Sequence, residues 1–353
     1  MEITTQAMGP ACPRYTVRRL RPEDATGVAE CVRSVYGDSY VHPELYHPDQ
    51  VIRLNQTGEL VSAIALDADG EVVGHYALER PGLGAIAEEG EALVLPEHRH
   101  HHLMEALRGL LEEEAHRLGL MGLFGQAVTN HLFTQRVWER FDVRVCGLSL
   151  GASPRSFRNL AQLLPQRMSL VLGFKHLRLP ARVAVHAPPQ HRAICTRIYD
   201  QLRVPVEFHE PGSAEGPGQV SVKYIHELQE ATIQVERVGT ETAAEIRRSR
   251  RSLCETSRTE AVFLELPLAQ AGTPELCRAV EQEGFFFSGI GPCFGADGDA
   301  LRLQFLNVDL DIGLLQLHGQ FAHELTAYVA RERERVRKAR QPCGAMLPMS
   351  RGK

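Results

Sequence analysis

The chain has 353 residues, room for two domains of ordinary size, and its 43% hydrophobic and 24% charged residues give each half a core to bury. A net charge of −5 and an isoelectric point near 6.4 exclude a global attraction to nucleic acid or anionic membrane. No apolar run has the length a bilayer needs, and residues 1–13 lack the basic start and apolar core of a secretory signal, so the expected compartment is the cytoplasm.

Residues 1–13 read as a loose leader. Residues 15–20 alternate like a strand, and Arg21-Pro-Glu-Asp24 opens a helix over 25–36 with Val28, Cys31, Val32 and Val35 on one face. A loop rich in aromatics and histidine, 37–48, precedes a short helix, 49–57. Segments 60–66 and 71–78 form a hairpin around Asp67-Ala-Asp-Gly70. A stretch with Gly82, Gly84 and Gly90 then leads to a strand ending at Pro96. The helix that follows, 102–118, carries Leu103, Ala106, Leu107, Leu110, Leu111 and Ala115 as one stripe. Strand 121–128, helix 134–141 and strand 143–150 complete the first half, and 151–180 reads as a connector carrying some helix.

The second half predicts a strand over 182–186, a helix over 189–202, and a hairpin of 220–225 with 230–238. A helix over 240–257, a strand over 261–268, a helix over 274–284, a strand pair (285–294, 300–307) and a charged helix, 320–338, follow. Mixed order with a dominant hairpin makes the fold class α/β, with a mixed α+β sheet.

The most informative stretch is Val94-Leu-Pro-Glu-His-Arg-His-His-His-Leu-Met-Glu-Ala-Leu107. It resembles the central motif of the acyl-CoA N-acyltransferase (GNAT) superfamily, in which a strand ends in hydrophobic-x-Pro and Arg-Gly-x-Gly-x-Gly/Ala opens a long amphipathic helix. Such a turn offers unpaired backbone N–H groups and the positive end of a helix dipole to the pyrophosphate of coenzyme A. The resemblance spans about 15–151 in element order. Aligned on Arg99, the family's small positions fall at His100, His102 and Met104, where glycine leaves room for phosphates and for unusual backbone angles. Imidazoles there either donate to phosphate or mark a motif that has lost its ligand.

The resemblance implies two such domains in tandem: a leader (1–13), an acyl-CoA-binding domain (14–151), a connector (152–180), a degenerate second copy (181–338) and a tail (339–353). It places acetyl-CoA or another acyl-CoA against Leu93, Val94, Leu95, Arg99, His100, His101, His102, Leu103, Met104 and Gln135. The family's general base is often a glutamate on the strand before the motif, a place held here by Glu91 and Glu89; a solvated acidic loop is the other reading of Glu88, Glu89 and Glu91. The family's tyrosine acid is missing from 134–141, and His131 is its conceivable substitute. Thr129 and Gln135 serve the ligand or cap the helix.

The functional expectation is N-acyl transfer from acyl-CoA to an amine of unknown identity. The alternative is a non-catalytic sensor or scaffold that binds coenzyme A without turnover or mediates protein contacts. An RNA-binding acetyltransferase has only Arg247 to Arg251 and the helix after Arg331 in its favour, and both read better as solvated helix faces. No metal is expected: the eight cysteines include no CxxC pair, and His98, His100, His101, His102, His42 and His47 read as incidental solvent-facing residues. Neither membrane nor nucleic acid is an expected partner; a homodimer or a protein partner stays open.

Overall fold

The computed structural model describes residues 3–5, 15–38, 40–155 and 165–340. Most of the expected leader and tail, Cys12 and Cys343 lie outside the described residues. The first half runs β1 (Ile3–Thr5), β2 (Tyr15–Arg19), α1 (Ala25–Tyr36), α2 (Pro48–Thr57), β3 (Leu60–Leu66), β4 (Val72–Glu79), β5 (Ile86–Val94), α3 (Leu103–Arg117), β6 (Gly122–Val128), α4 (Phe133–Arg140), β7 (Arg144–Ser153) and β8 (Met168–His176). The second half runs β9 (Val183–Val185), α5 (Arg192–Leu202), β10 (Val206–Phe208), β11 (Gln219–Ile225), β12 (Glu230–Arg237), α6 (Thr242–Glu255), β13 (Ala261–Pro267), α7 (Thr273–Gln282), β14 (Phe286–Gly295), β15 (Gly298–Leu306) and α8 (Gln320–Arg340).

Apart from β9 and β10, which pair with each other, the described strands form one mixed sheet ordered β1-β2-β3-β4-β5-β6-β8-β7-β14-β15-β13-β12-β11. The element order from β2 to β7 is the one the sequence predicts. Every residue of β3 is buried because α1 and α2 cover one face of the sheet and α3 the other. Central strands covered on both faces read as continuous apolar runs.

One departure follows from the same rule, and a second does not. Residues 168–176 lie in the stretch expected to connect the halves, yet Met-Ser-Leu-Val-Leu-Gly-Phe is a buried central strand, β8, inserted between β6 and β7. The leader contributes β1, which pairs antiparallel with β2. A further difference is that β5 begins at Ile86, inside the glycine-containing stretch expected only to lead to that strand.

The halves repeat one topology. In each, an antiparallel pair (β4-β5; β11-β12) is joined in parallel to the next strand (β6; β13), with a helix (α3; α6) in the connection, and a final antiparallel pair completes the copy. The copies meet at β7 and β14, antiparallel, with Gly147 opposite Gly289. Gly289 adopts φ +149°, and a Cβ there would collide with the Gly147 backbone, so the seam requires glycine. Ser288 Oγ donates to Leu148 O across it (2.6 Å), and the Gln304 amide pairs with both backbone groups of Leu150. Helices α5 and α8 also pack on β7, so Leu148, Leu172, Ile198, Phe287 and Leu325 share one apolar core. Among the described residues no helix is long and apolar enough to cross a membrane.

Candidate functional site

Strands β5 and β6 pair only where Ile86–Glu88 face Gly122–Phe124, although β5 continues to Val94 and β6 to Val128. Beyond Glu88 the facing backbone edges are free of each other and leave polar groups for another partner. At the end of β5, Pro96–His98 form a 3-10 turn, Arg99 is extended, and His100 (φ +69°) and His102 (φ +57°) are left-handed before α3 begins at Leu103. The first helical hydrogen bond runs from Ala106 N to His102 O (3.1 Å), so the N–H groups of Leu103, Met104 and Glu105 precede the helical ladder.

The histidines of this turn divide by role. His98 Nδ1 bonds the Tyr15 hydroxyl (3.1 Å), and the His101 ring lies 5.3 Å from the Tyr15 ring. His100 and His102 are exposed, and His102 Nδ1 is 3.4 Å from Glu105. Arg99 Nε donates to Val94 O (3.2 Å), and the residue is exposed. Leu93 and Val94 are buried on opposite sides of the sheet, and Leu95 N is held by Val73 O (2.9 Å).

Upstream, β5 bulges: Glu91 and Ala92 together oppose Tyr76, and Glu91 takes φ +59°. A buried relay holds this bulge. The Glu91 carbonyl can only accept, so His75 donates from Nδ1 (3.0 Å); His75 Nε2 then accepts from Ser62 Oγ (3.0 Å), which itself accepts from Asn55 Nδ2 (3.1 Å). Burial pushes His75 down to about 4, keeping it neutral.

The bulge turns Glu91 toward Glu79 of β4 and His42 of the α1–α2 loop. His42 Nδ1 lies 3.7 Å from Glu91 Oε1, 3.8 Å from Glu79 Oε2 and 3.3 Å from Glu44 Oε1. Gly90 makes room for this: a Cβ there would stand 2.5 Å from Glu79 Oε1. The loop is pinned by Tyr46, whose hydroxyl donates to Gly37 O (2.7 Å) and accepts from Tyr40 N (2.9 Å), while Tyr40 stacks on Tyr36. Burial raises Glu91 well above the usual carboxylate range, and the nearby Glu79 adds to the rise. Burial likewise raises Glu79, to about 7, against the lowering field of His42. Burial works against charge on His42, but the Glu44 hydrogen bond and the fields of Glu79 and Glu91 outweigh it and hold the imidazole at about 9. His42 is therefore not the incidental solvent-facing residue the sequence suggests.

Three other candidates fall elsewhere. Glu89, on the opposite face of β5, is ion-paired with buried Arg108 of α3 (2.8 Å), so the structure does not bring it to Glu91. The Gln135 amide donates to Val128 O and Gln316 O (3.0 Å each) and accepts from His318 N (2.9 Å); it ties the halves together and has no donor left for a coenzyme. His131 Nδ1 accepts from Phe133 N (3.3 Å) at the start of α4, and burial lowers its pKa. Glu79 escapes sequence reasoning and His42 reads as solvent-facing because both sit away from the motif; the signal that points to them is Gly90, opposite Ala77 near the end of β4.

The second copy lacks such a turn. Its counterpart, before α6, is closed by its own chain: Thr240 N donates to Gly216 O (3.1 Å), Arg237 Nε to Pro217 O (3.0 Å), and Gly239 N to Thr242 Oγ1 (2.8 Å). In the arginine cluster of α6, Arg247 pairs with Glu283 (2.5 Å) and Arg250 lies over the Phe305 ring (4.7 Å).

No family model and no curated protein matches the chain. Among solved structures, it is similar to an Acinetobacter baylyi ADP1 putative acetyltransferase at 11% identity, over 47% of this chain and 94% of that one, with a TM-score of 0.41. A Salmonella typhimurium putative acetyltransferase solved with acetyl-CoA aligns at 15% identity over 47% of this chain and 96% of that one (TM-score 0.38). An N-acetyltransferase from Staphylococcus aureus Mu50 aligns at 12% identity over 46% and 99% (TM-score 0.38).

Proposed function

We propose that the chain is an acyl-CoA-dependent N-acyltransferase of the GNAT kind, with the coenzyme lying along the free edge of β5 and its pyrophosphate at the Arg99–Met104 turn. The observation that carries this reading is the left-handed backbone at His100 and His102. Those are two of the positions where the family pattern has small residues, and side chains adopt this conformation only at a cost of about 1–2 kcal/mol each. The strand–turn–helix shape is thus kept although the glycines are not, and the N–H groups of Leu103, Met104 and Glu105 remain outside the helical ladder to receive an anion.

Acyl transfer to an amine needs a group to take the amine's proton and donors to polarise the thioester carbonyl. Glu79, at about 7, with Glu91 beside it, would serve the first task; the second would fall to the backbone N–H of Val94, which alternates with the Leu95 N–H already given to Val73 O and so faces the free edge of β5. His131 is the remaining candidate acid; a ring already neutral at neutral pH has no imidazolium proton to give, so the leaving thiolate would take its proton from water. The second copy serves as a scaffold, its turn being closed. A second reading, coenzyme binding without turnover, is favoured by the complete burial of the Glu91 side chain behind the Tyr40–His42 loop.

Calorimetric titration with acetyl-CoA and coenzyme A, repeated with Arg99→Glu, tests the reading. Saturable binding that the substitution abolishes supports it, and thiol release with candidate amines then separates turnover from binding alone. Absence of binding to either ligand overturns both readings.

A further inference from the structure

We propose that His42, Glu79 and Glu91 form a binding site for a divalent transition-metal ion, with Glu44 as an additional oxygen donor.

One ligand atom from each of His42, Glu79 and Glu91 lies within 4.8 Å of the others. The imidazole-to-carboxylate separations, 3.7 and 3.8 Å, are too long for hydrogen bonds. They suit two donors that share an ion at about 2.1 Å each, since such donors stand roughly 3–4 Å apart around a tetrahedral or octahedral centre.

The second observation is independent of the clustering. Among the described residues neither oxygen of Glu91 has a hydrogen-bond partner, although its side chain is 0% exposed. A buried carboxyl normally recovers its desolvation cost through such partners. Glu91 is held in this position from behind, its carbonyl fixed by the His75–Ser62–Asn55 relay, much as metal ligands are oriented by the groups behind them. The His42 and Glu79 side chains are 28% and 23% exposed, which gives an ion a way in and leaves room for water as further ligands.

Charge and donor type agree. Glu44, Glu79, Glu88 and Glu91 surround a single imidazole, and the fields of Lys223 and Arg302 of the second half also reach Glu79 or Glu88 without an ion pair to either. Glu88 is engaged by Gln126 (3.0 Å) and is left out of the donor set. One imidazole with carboxylates and no thiolate suits zinc, manganese or ferrous iron rather than a soft monovalent ion. Among the described residues the other convergent group is His191, Cys277 and Glu281, where both imidazole nitrogens are taken, by Tyr328 and Glu281 (2.8 Å each), and Arg335 pairs with Glu281 (2.7 Å); His42 Nδ1 has one hydrogen bond, to Glu44 (3.3 Å), itself a donor in the proposed set.

The inference stands beside the acyl-transfer reading rather than on it. Coenzyme A would meet the Arg99 turn, the ion the His42 cluster. They meet at one point: an ion held by Glu79 and Glu91 removes them as proton acceptors, so added metal inhibits any acyl transfer by this chain.

The test uses the chelator-treated full chain, titrated with Zn²⁺ and Mn²⁺ by calorimetry and with Co²⁺ by visible absorption. Glu91→Gln, His42→Gln and Glu79→Gln are compared with a control in which His100 and His102 are both replaced by serine. Circular dichroism establishes that each variant is folded, and any one folded cluster variant suffices. The expected result is binding of one equivalent, weakened at least ~10-fold in the cluster variants and unchanged in the control. Absence of saturable binding, binding that survives the cluster substitutions, or binding lost in the control overturns the proposal. Acetyl-CoA affinity, measured on the same samples, reports on the Arg99 turn separately.

Discussion

Arg108 Nη2 lies 2.8 Å from Glu89 Oε1, with both side chains only 2% exposed, and the guanidinium also sits 4.2 Å from the centre of the Phe141 ring. The pair welds α3 to β5 on the face opposite Glu91. Removing one member of a buried ion pair strands the other, whereas replacing both with apolar residues is far better tolerated. Arg108→Met is therefore expected to lower unfolding stability by about 3 kcal/mol, and Arg108→Met with Glu89→Leu to recover most of it. Urea denaturation of the two variants checks this.

At the turn before α3, glycine should be better tolerated than histidine. His102→Gly is expected to raise stability by up to about 1 kcal/mol by relieving the left-handed conformation, and His102→Val to lower it. Thermal melts read the stability; on the proposed function, acetyl-CoA titration of His100→Gly and His102→Gly is expected to show tighter binding than the parent.

Gln135 joins a first-half helix to the segment leading into α8. Gln135→Ala leaves Val128 O, Gln316 O and His318 N without their side-chain partner. The expected cost is about 1–3 kcal/mol, with faster amide exchange at His318 than elsewhere in the second half. Uniform exchange across the chain would count against a local clip.

Glu230 provides a pH dependence. Burial raises it to about 7, against the lowering fields of Arg302 and Arg167, with Glu88 adding to the rise and Lys223 opposing it. The folded chain then holds more protons than the unfolded one between about 4.5 and about 7. Its contribution to stability consequently falls as pH rises through that window. Glu230→Gln should remove this loss, gaining on the parent between pH 5 and pH 8 by something on the order of 1 kcal/mol, the partial exposure of the residue limiting the effect. Denaturant titrations at the two pH values measure it.

Much of the first half was legible in the sequence because its periodicities are local. The stripe of α3 and the Asp67–Gly70 turn each announce one element within a few residues. β8 was not, since a strand buried on both faces carries no alternation, only an apolar run that reads equally as connector or helix. The site divides in the same way. Arg99 and the turn after Pro96 follow from spacing along one segment. The convergence of His42, Glu79 and Glu91 depends on the β5 bulge and on a loop 49 residues upstream of Glu91, contacts that no local pattern encodes. Glu89 and Gln135 show the reverse: residues at plausible family positions, taken up by Arg108 and by the second half.

The β7–β14 seam has a consequence beyond packing. Two separate copies of one chain meeting across such an edge would carry every substitution twice, so neither turn could change without the other. Joined in a single polypeptide, the halves are free of that constraint. The segment from Gly216 to Gly239 closes one turn while the other stays open, and Gln316 and His318 of the closed half brace a helix of the open one. Covalent linkage lets near-symmetry in shape coexist with turns built differently in the two halves.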